Sequence, residues 1–485
     1  MKALSVLGTS SSAGKSWMAT ALCAWLRRQG VRVAPCKTQN MSNNAWVTLE
    51  GGEIGRAQAV QAEACGLRPT AEMNPILLKP TGPHGSQLVL CGQARGHLEA
   101  QAYYREIDRL WRVVAGVLDG WRDRCDVLVL EGAGSPVELN LMSRDLANLR
   151  PVRHLDGRWV LVGDIDRGGI YAQLAGTWAL MPQEDRARGL GAIINRFRGD
   201  IALFPDPQAW LTPHAPGFNV LGTVPLRPDL QPEEEDGLKP GDEVRGTGAP
   251  IAWLRFPHAA NLSDCQPWWD DTGVSTRWVA NVGELAAARA IVLPGTKNTV
   301  ADLNWLHATG LGAAIVAAAE RGVPVIGICG GYQILGRRVS DPQGVAGDAG
   351  DVPGLGLLPT TTTFESQKIV RQVTATCGGE SWMAYEIHMG RTQIDAGAMP
   401  LQEVCDADGS VRPEGVRCGK VWGTYLHGWF EAAAVRRRVA ELAGITSYAA
   451  HPVPWAQRRL AIYDAMAEHI ERHLNLEPVR RYLGL

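Results

Sequence analysis

Short, continuous apolar runs recur through this chain, each closed by a glycine or a polar loop and separated from the next by a stretch of helical pattern. In the first half they fall at 3–7, 31–34, 127–130, 159–162 and 191–194. A strand that is apolar on both faces must be covered on both faces, so such runs with helices between them predict a doubly wound parallel sheet. The pattern starts afresh at 251–254, 290–293 and 323–328. Between the two series, the stretch VPLRPDLQPEEEDGLKPGDEVRGTGAP replaces any hydrophobic period with proline, glycine and acid. The expected organisation is therefore an α/β domain over 1–228, a linker over 229–249 and a second α/β domain over 250–485. A length of 485 residues agrees with two units, given about 150 residues for an ordinary domain. Near the end, Leu460, Tyr463, Met466, Ile470 and Leu474 recur at spacings of three and four. They predict an amphipathic helix packed on the second domain.

Charge and cysteine usage narrow the function classes. The formal net charge is -2 with no basic tract, so a phosphate-backbone partner is not expected. The ten cysteines form no CxxC pair or other zinc spacing and read as reduced thiols in the cytoplasm. The apolar start before Gly8 is too short for a signal segment, and far below the roughly 20 residues of a membrane span.

GTSSSAGKS (residues 8–16) follows the first strand and opens a helical pattern, which is the setting of a phosphate cradle. Small residues let backbone N–H groups converge on phosphate oxygens, Lys15 adds a point charge, and the Ser16 hydroxyl can reach magnesium. Thr9, Gly14, Lys15, Ser16 and Asn195 are the expected ATP-binding residues. Five residues separate Gly8 from Gly14 where the common pattern has four, a spacing that resembles the dethiobiotin synthetase branch of the P-loop enzymes. Glu131 and Asp164 each close another strand, at the sheet edge where ligands of open α/β sheets gather. With Ser16 they are the expected magnesium residues.

In the second half, VPVIGICGGYQILG (residues 323–336) runs an apolar strand into Cys329, then two glycines, then a helical pattern. That is a nucleophile elbow: glycines permit the tight turn that exposes a side chain at the sheet edge, and the helix dipole favours thiolate. The N–H of Gly330 can donate to an oxyanion, and the glycine turn at Gly295 offers a second donor. Gln333 is assigned to the same glutamine-binding region. A cysteine nucleophile needs a base, and His427 in WGTYLHGWF supplies one.

These passages resemble the class I glutamine amidotransferase domain, in which cysteine attacks the glutamine side-chain amide and histidine carries the proton. The ordinary pattern has a glutamate two residues after the histidine, where this chain has Trp429. Its absence resembles the variant branch among cobalamin-pathway amidases. What orients His427 is left open, with Glu431 as one candidate. Together with KTQNMSNNA (37–45), MNPILLKP (73–80), EGAGSPVELNL (131–141), GDIDRGG (163–169), NRFRGD (195–200), LPGTKNT (293–299) and YEIHMGRT (385–392), nearly the whole chain resembles the cobyric acid synthase family.

The resemblance implies amidation of the b, d, e and g carboxylates of adenosylcobyrinic acid a,c-diamide. ATP, magnesium and glutamine are consumed or bound in turnover, with no tightly bound protein cofactor. It adds Lys37, Asn40, Asn43 and Asn44 as candidate substrate residues; asparagine is equally a common loop former. Ammonia must travel unprotonated, so the plan invites an enclosed route from Cys329. Self-association is compatible with the sequence. The alternatives are an a,c-diamide synthase of the same architecture and a P-loop regulatory ATPase with a binding module.

Overall fold

The computed structural model describes residues 1–80, 85–233, 244–345 and 349–485. The chain forms two compact units. The first comprises Met1–Ser42, Ile54–Glu234 and Arg459–Leu485; the second comprises Asn43–Glu53 and Glu235–Arg458.

The first unit is built on a six-stranded, all-parallel sheet. From edge to edge the strands are Val220–Pro225, Gly189–Phe197, Arg158–Asp164, Lys2–Gly8, Val127–Glu131 and Val33–Cys36. Each expected apolar run of the first half lies in or overlaps one of these strands. Alternate side chains feed different cores: Leu4 and Val6 join one with Leu22 and Trp25, whereas Leu7 packs with Trp159 and Leu174 in another. The sheet is thus covered on both faces, as continuous apolar strands require. Lys2–Gly8 lies between Val127–Glu131 and Arg158–Asp164, and the three C-terminal ends bring Gly8, Glu131 and Asp164 to one edge.

The terminal helix departs from expectation. From Arg459 onward it belongs to the first unit, not the second. Tyr463, Met466, Ile470 and Leu474 are buried with Leu22, Trp25 and Leu26, while Leu460 is exposed. Burying each such side chain contributes about 1.5–3 kcal/mol, so the stripe carries most of the docking. Its choice of neighbour has a charge component: Asp464 pairs with Arg27, and Glu468 lies 2.9 Å from Arg28.

The second unit has a parallel centre of Gly273–Val279, Gly248–Leu254, Ala290–Leu293, Val325–Ile328 and Val421–Thr424. The sheet continues through antiparallel strands that include the long hairpin Thr360–Cys377 and Glu380–Ile394. The expected linker is shorter than its acidic, proline-rich text suggested. Residues 234–243 lie outside the described residues, but Val244–Gly246 already pairs as an edge strand and Gly248 begins a central one. The segment Asn43–Glu53 is the other departure, since it belongs to this unit although it interrupts the first in sequence. Gln372 donates to the Val47 carbonyl at 2.6 Å and Tyr385 to the Ala45 carbonyl at 3.3 Å.

Candidate active site

In the first unit the loop after Lys2–Gly8 wraps around the start of the helix Lys15–Arg28. Gly14 has φ 99°, and a Cβ there would run into the Asn195 carboxamide, which itself donates to the Ala13 carbonyl at 3.1 Å. Glycine is required at this position by both backbone conformation and space. Thr9 donates to Gln173 at 2.8 Å. Lys15 Nζ donates to the carbonyls of Ser10 at 2.8 Å and Gly134 at 3.0 Å, so the ammonium is held over the loop.

Glu131 organises the floor beneath it. Its Oε1 accepts from the Ser16 hydroxyl at 2.7 Å and from Lys37 Nζ at 2.9 Å, and its Oε2 accepts from Gln61 at 2.6 Å and Gln58 at 3.3 Å. Burial by itself would raise this carboxyl; the Lys37 charge and the Ser16, Lys37 and Gln61 donors outweigh it and hold Glu131 below the usual carboxylate range. Asn40 donates to Gln58 at 2.9 Å and so joins the same network. Asp164 accepts from Arg196 at 3.0 Å, and Arg196 also donates to the Ser12 carbonyl, which ties the acid to the phosphate loop.

Beside the loop after Glu131 lies a cavity of about 460 Å³, lined by Met41, Leu78, Tyr103, Tyr104, Ser135 and Leu146 among others. The cavity adjoins the loop whose Gly134 carbonyl accepts from Lys15, and walls that mix apolar and aromatic side chains with Glu138, Arg144 and Asp145 suit a large, partly apolar molecule with peripheral polar groups.

In the second unit Cys329 stands between the strand Val325–Ile328 and the helix Gly330–Leu335, with φ 51° and ψ -108°. A non-glycine residue held at positive φ is strained, and strain of this kind aims a side chain out of a tight turn. The neighbouring glycines are sterically required. A Cβ on Gly330 would sit 2.9 Å from the Thr296 nitrogen, and one on Gly331 would run into the Leu293 carbonyl. The two expected oxyanion loops are therefore packed together. Gln333 is buried, accepting from Thr299 at 2.9 Å and donating to Tyr425 at 3.3 Å.

His427 is fixed from several sides. Its backbone exchanges two hydrogen bonds with Tyr385, whose ring stacks on the imidazole at 5.2 Å. Gly295 lies against the ring, since an added Cβ would be 3.0 Å from Cε1. The orienting carboxylate is Asp264, which meets Nδ1 at 2.7 Å and also accepts from the Gly428 N–H at 2.8 Å. Glu431 is not the group that Nδ1 meets. Burial would lower His427, but Asp264 and the Cys329 sulfur outweigh it and raise the imidazole to about 10. A cysteine at a strained elbow, a histidine whose charge it favours and a buried aspartate behind the histidine form a nucleophile, base and orienting acid.

Two family models divide the chain in the same way: a CobQ/CobB/MinD/ParA nucleotide binding domain matches 4–240, and a CobB/CobQ-like glutamine amidotransferase domain matches 250–435. A cobyric acid synthase of Roseiflexus castenholzii is 44% identical over 98% of this chain and 97% of its own length. One of Variovorax paradoxus is 44% identical over 96% of each, and one of Synechocystis is 40% identical over 100% of this chain and 99% of its own. The chain belongs to the cobyric acid synthase family.

Against that family background, the structure separates the four candidate substrate residues. Lys37 and Asn40 belong to the Glu131 network of the first unit. Asn43 and Asn44 lie in the second unit, where the Asn44 carboxamide accepts from the Asn261 N–H at 2.7 Å. Asn43 Oδ1 is buried with no hydrogen-bond partner among the described residues. Nothing local in the sequence marks Asp264 or Asn261 as part of the site. They sit at the start of an irregular 3₁₀ stretch, Leu262–Trp268, brought to the site because Ala260 pairs with Gly295.

Proposed function

We propose that this protein is a glutamine-hydrolysing cobyric acid synthase. It would use ATP to amidate the b, d, e and g carboxylates of adenosylcobyrinic acid a,c-diamide. The observation that carries the reading is the Asp264–His427 pair beside the Cys329 elbow, in a chain whose other unit presents Lys15, Ser16 and Glu131 around a phosphate loop. The five-residue spacing before Gly14 further favours the dethiobiotin synthetase branch for that unit.

In the glutaminase, Cys329 Sγ, its proton already resting on His427, attacks the side-chain amide carbon of glutamine as thiolate. Asp264 stabilises the imidazolium, and the Gly330 and Gly295 loops bracket the developing oxyanion. His427 then gives its proton to the departing nitrogen. Ammonia leaves, and water cleaves the thioester to glutamate.

In the synthetase, a carboxylate is a poor electrophile until its oxygen takes the ATP γ-phosphoryl group. The acyl phosphate so formed reacts with ammonia to give the amide and phosphate. Lys15 offsets charge on the transferring group, Thr9 and Gly14 shape the loop, and Asn195 braces it. Among the described residues no cluster of three or more His, Cys, Asp or Glu offers an all-protein metal cage. One hydroxyl and nearby carboxylates fit magnesium that keeps phosphate and water ligands, and Ser16, Glu131 and Asp164 would hold it. Such an ion would neutralise phosphate charge. The cavity lined by Tyr103 and Tyr104 is the corrinoid seat in this reading. A cytoplasmic setting agrees with the reduced thiols, and no helix among the described residues is long and apolar enough to cross a membrane.

Mass spectrometry of the a,c-diamide after incubation with ATP and glutamine tests the reading: four successive amidations are expected. No change there, with two amidations of cobyrinic acid instead, would assign the protein to the a,c-diamide synthases.

A further inference from the structure

Thr296 reaches the Cys329 elbow and a buried carboxylate at once. Gly295–Thr296 runs antiparallel to Ala259–Ala260, with Thr296 opposite Ala259 and Gly295 opposite Ala260. The Lys297 N–H donates to the His258 carbonyl at 3.0 Å. Hydrogen bonding alternates along an antiparallel pair, and the Ala259 N–H accordingly donates elsewhere, to the Phe256 carbonyl at 3.3 Å. The Thr296 N–H is therefore turned away from that pairing, on the side where a Cβ on Gly330 would come within 2.9 Å of its nitrogen. The Thr296 methyl packs against Gly330 as well. Of the N–H groups in the Gly295 turn, that of Thr296 faces the elbow.

The other end of Thr296 is held by Asp302, a fully buried residue of the helix Thr299–Ala308. The Thr296 hydroxyl donates to Asp302 Oδ2 and accepts from the Asn298 N–H at 3.1 Å. Asp302 Oδ1 accepts from the His258 N–H at 3.3 Å and lies 2.8 Å from His258 Nδ1. Asp302 and His258 thus close a clamp around residues 296–297. The strand after His258 runs on into Asn261, whose carboxamide lies 3.1 Å from His427 Nε2. The helix that carries Asp302 touches the elbow helix too, because Thr299 donates to Gln333 at 2.9 Å. The acid that orients His427 is Asp264, which leaves Asp302 for another task. We propose that Asp302 is a positioning residue for the oxyanion hole: through the Thr296 hydroxyl it aims the Thr296 N–H at the oxygen that gains charge on the glutamine amide carbon. Such a donor must be fixed before the reaction, since its worth lies in not having to reorganise during it. This inference rests on the glutaminase reading above.

The test uses the full chain and three readouts: steady-state glutamate release, inhibition by glutamate γ-semialdehyde, and alkylation of Cys329 by iodoacetamide followed by peptide mass spectrometry. Cys329 Sγ bonds to the aldehyde carbon and the thiol proton ends on the former carbonyl oxygen, which gives a hemithioacetal with its oxygen in the oxyanion site. Iodoacetamide instead loses iodide by displacement at carbon and makes no oxyanion. Complete loss of one oxyanion donor costs on the order of 10²- to 10³-fold in kcat, so a donor left in place but badly aimed should cost roughly tenfold or more. That loss is expected in both Thr296→Val and Asp302→Asn, with KM for glutamine within about twofold. The inhibition constant of the aldehyde should rise by a similar factor, while alkylation of Cys329 stays within about twofold. The double variant should lose little more than the worse single one, since the two side chains act as a unit. Thr296→Ser, which restores the hydroxyl, should recover most of the kcat lost in Thr296→Val. Thr296→Val leaves Asp302 and its helix in place and carries the test if Asp302→Asn does not fold. An unchanged kcat in the variants, or one that falls together with alkylation, overturns the proposal. Glutamine hydrolysis missing from the unaltered protein would instead strike the glutaminase reading itself.

Discussion

Asp264 meets His427 Nδ1 with Oδ2 at 2.7 Å, and its Oδ1 accepts from the N–H of the next residue, Gly428, at 2.8 Å. The first contact selects the tautomer with its lone pair on Nε2. The second fixes the backbone that carries the ring. Asp264→Asn keeps the shape but can turn an NH₂ toward Nδ1, which stabilises the wrong tautomer. Glutamine hydrolysis should fall on the order of 10²- to 10⁴-fold in kcat. Steady-state glutamate release measures it, and a loss below about threefold would remove Asp264 from the machinery.

The same contact sets a pH dependence. His427 is raised to about 10 against the opposition of burial. A raised imidazole keeps its proton at neutral pH and loses it only as pH climbs through the raised value. The alkaline limb of glutamine hydrolysis in the unaltered protein should therefore lie well above pH 8. In Asp264→Asn that limb should move down toward neutrality, read from kcat/KM between pH 6 and 10. A limb that does not move between the two proteins contradicts the assignment of the shift to Asp264.

Cys329→Ala should abolish glutamine-dependent amidation and leave amidation supported by high ammonium chloride. The reason is the division of the chain: Cys329 lies in the second unit, and Lys15, Ser16 and Glu131 lie in the first. Lys15→Ala should lose amidation with either nitrogen source by about 10²-fold or more, since it removes the charge aimed at the transferring phosphoryl group. Corrinoid mass change with each nitrogen donor checks both. Failure of ammonia to rescue Cys329→Ala would show that the two chemistries are not separable.

How much of this was legible in the sequence follows from how local each feature is. Lys15 and Cys329 announce themselves because the strand, the turn and the helix that position them are contiguous in the chain. His427 could be found only once a nucleophile was suspected. Asp264 and Asn261 carry no local signal: they sit in an irregular stretch whose place is set by Ala260 pairing with Gly295. The terminal helix was visible from its apolar stripe, but a stripe shows that a helix packs, not on what. Its neighbour is decided by Leu22, Trp25 and the arginines of the helix Lys15–Arg28. The exchange of Asn43–Glu53 into the second unit is likewise a tertiary choice, in which Tyr385 and Gln372 satisfy the carbonyls of Ala45 and Val47.

Glu414 ties stability to the strand that leads into His427. Its Oε1 accepts from the Tyr425 N–H at 2.7 Å and its Oε2 from the Thr424 hydroxyl at 2.7 Å. Burial, and after it the nearby Glu386, raise this carboxyl to about 7. A folded state that holds a proton more tightly than the unfolded chain gains most stability below the unfolded pKa, and loses the gain as pH rises through the folded one. The window is thus from about 4.5 to about 7, and its full size is on the order of 3 kcal/mol. Glu414→Gln is neutral throughout, so relative to the unaltered protein it should gain stability as pH goes from 5 to 8. Urea midpoints at unit pH intervals measure that difference. A difference that stays constant over the range would mean that Glu414 is already ionised when buried, and that Thr424 and Tyr425 are held by a carboxylate.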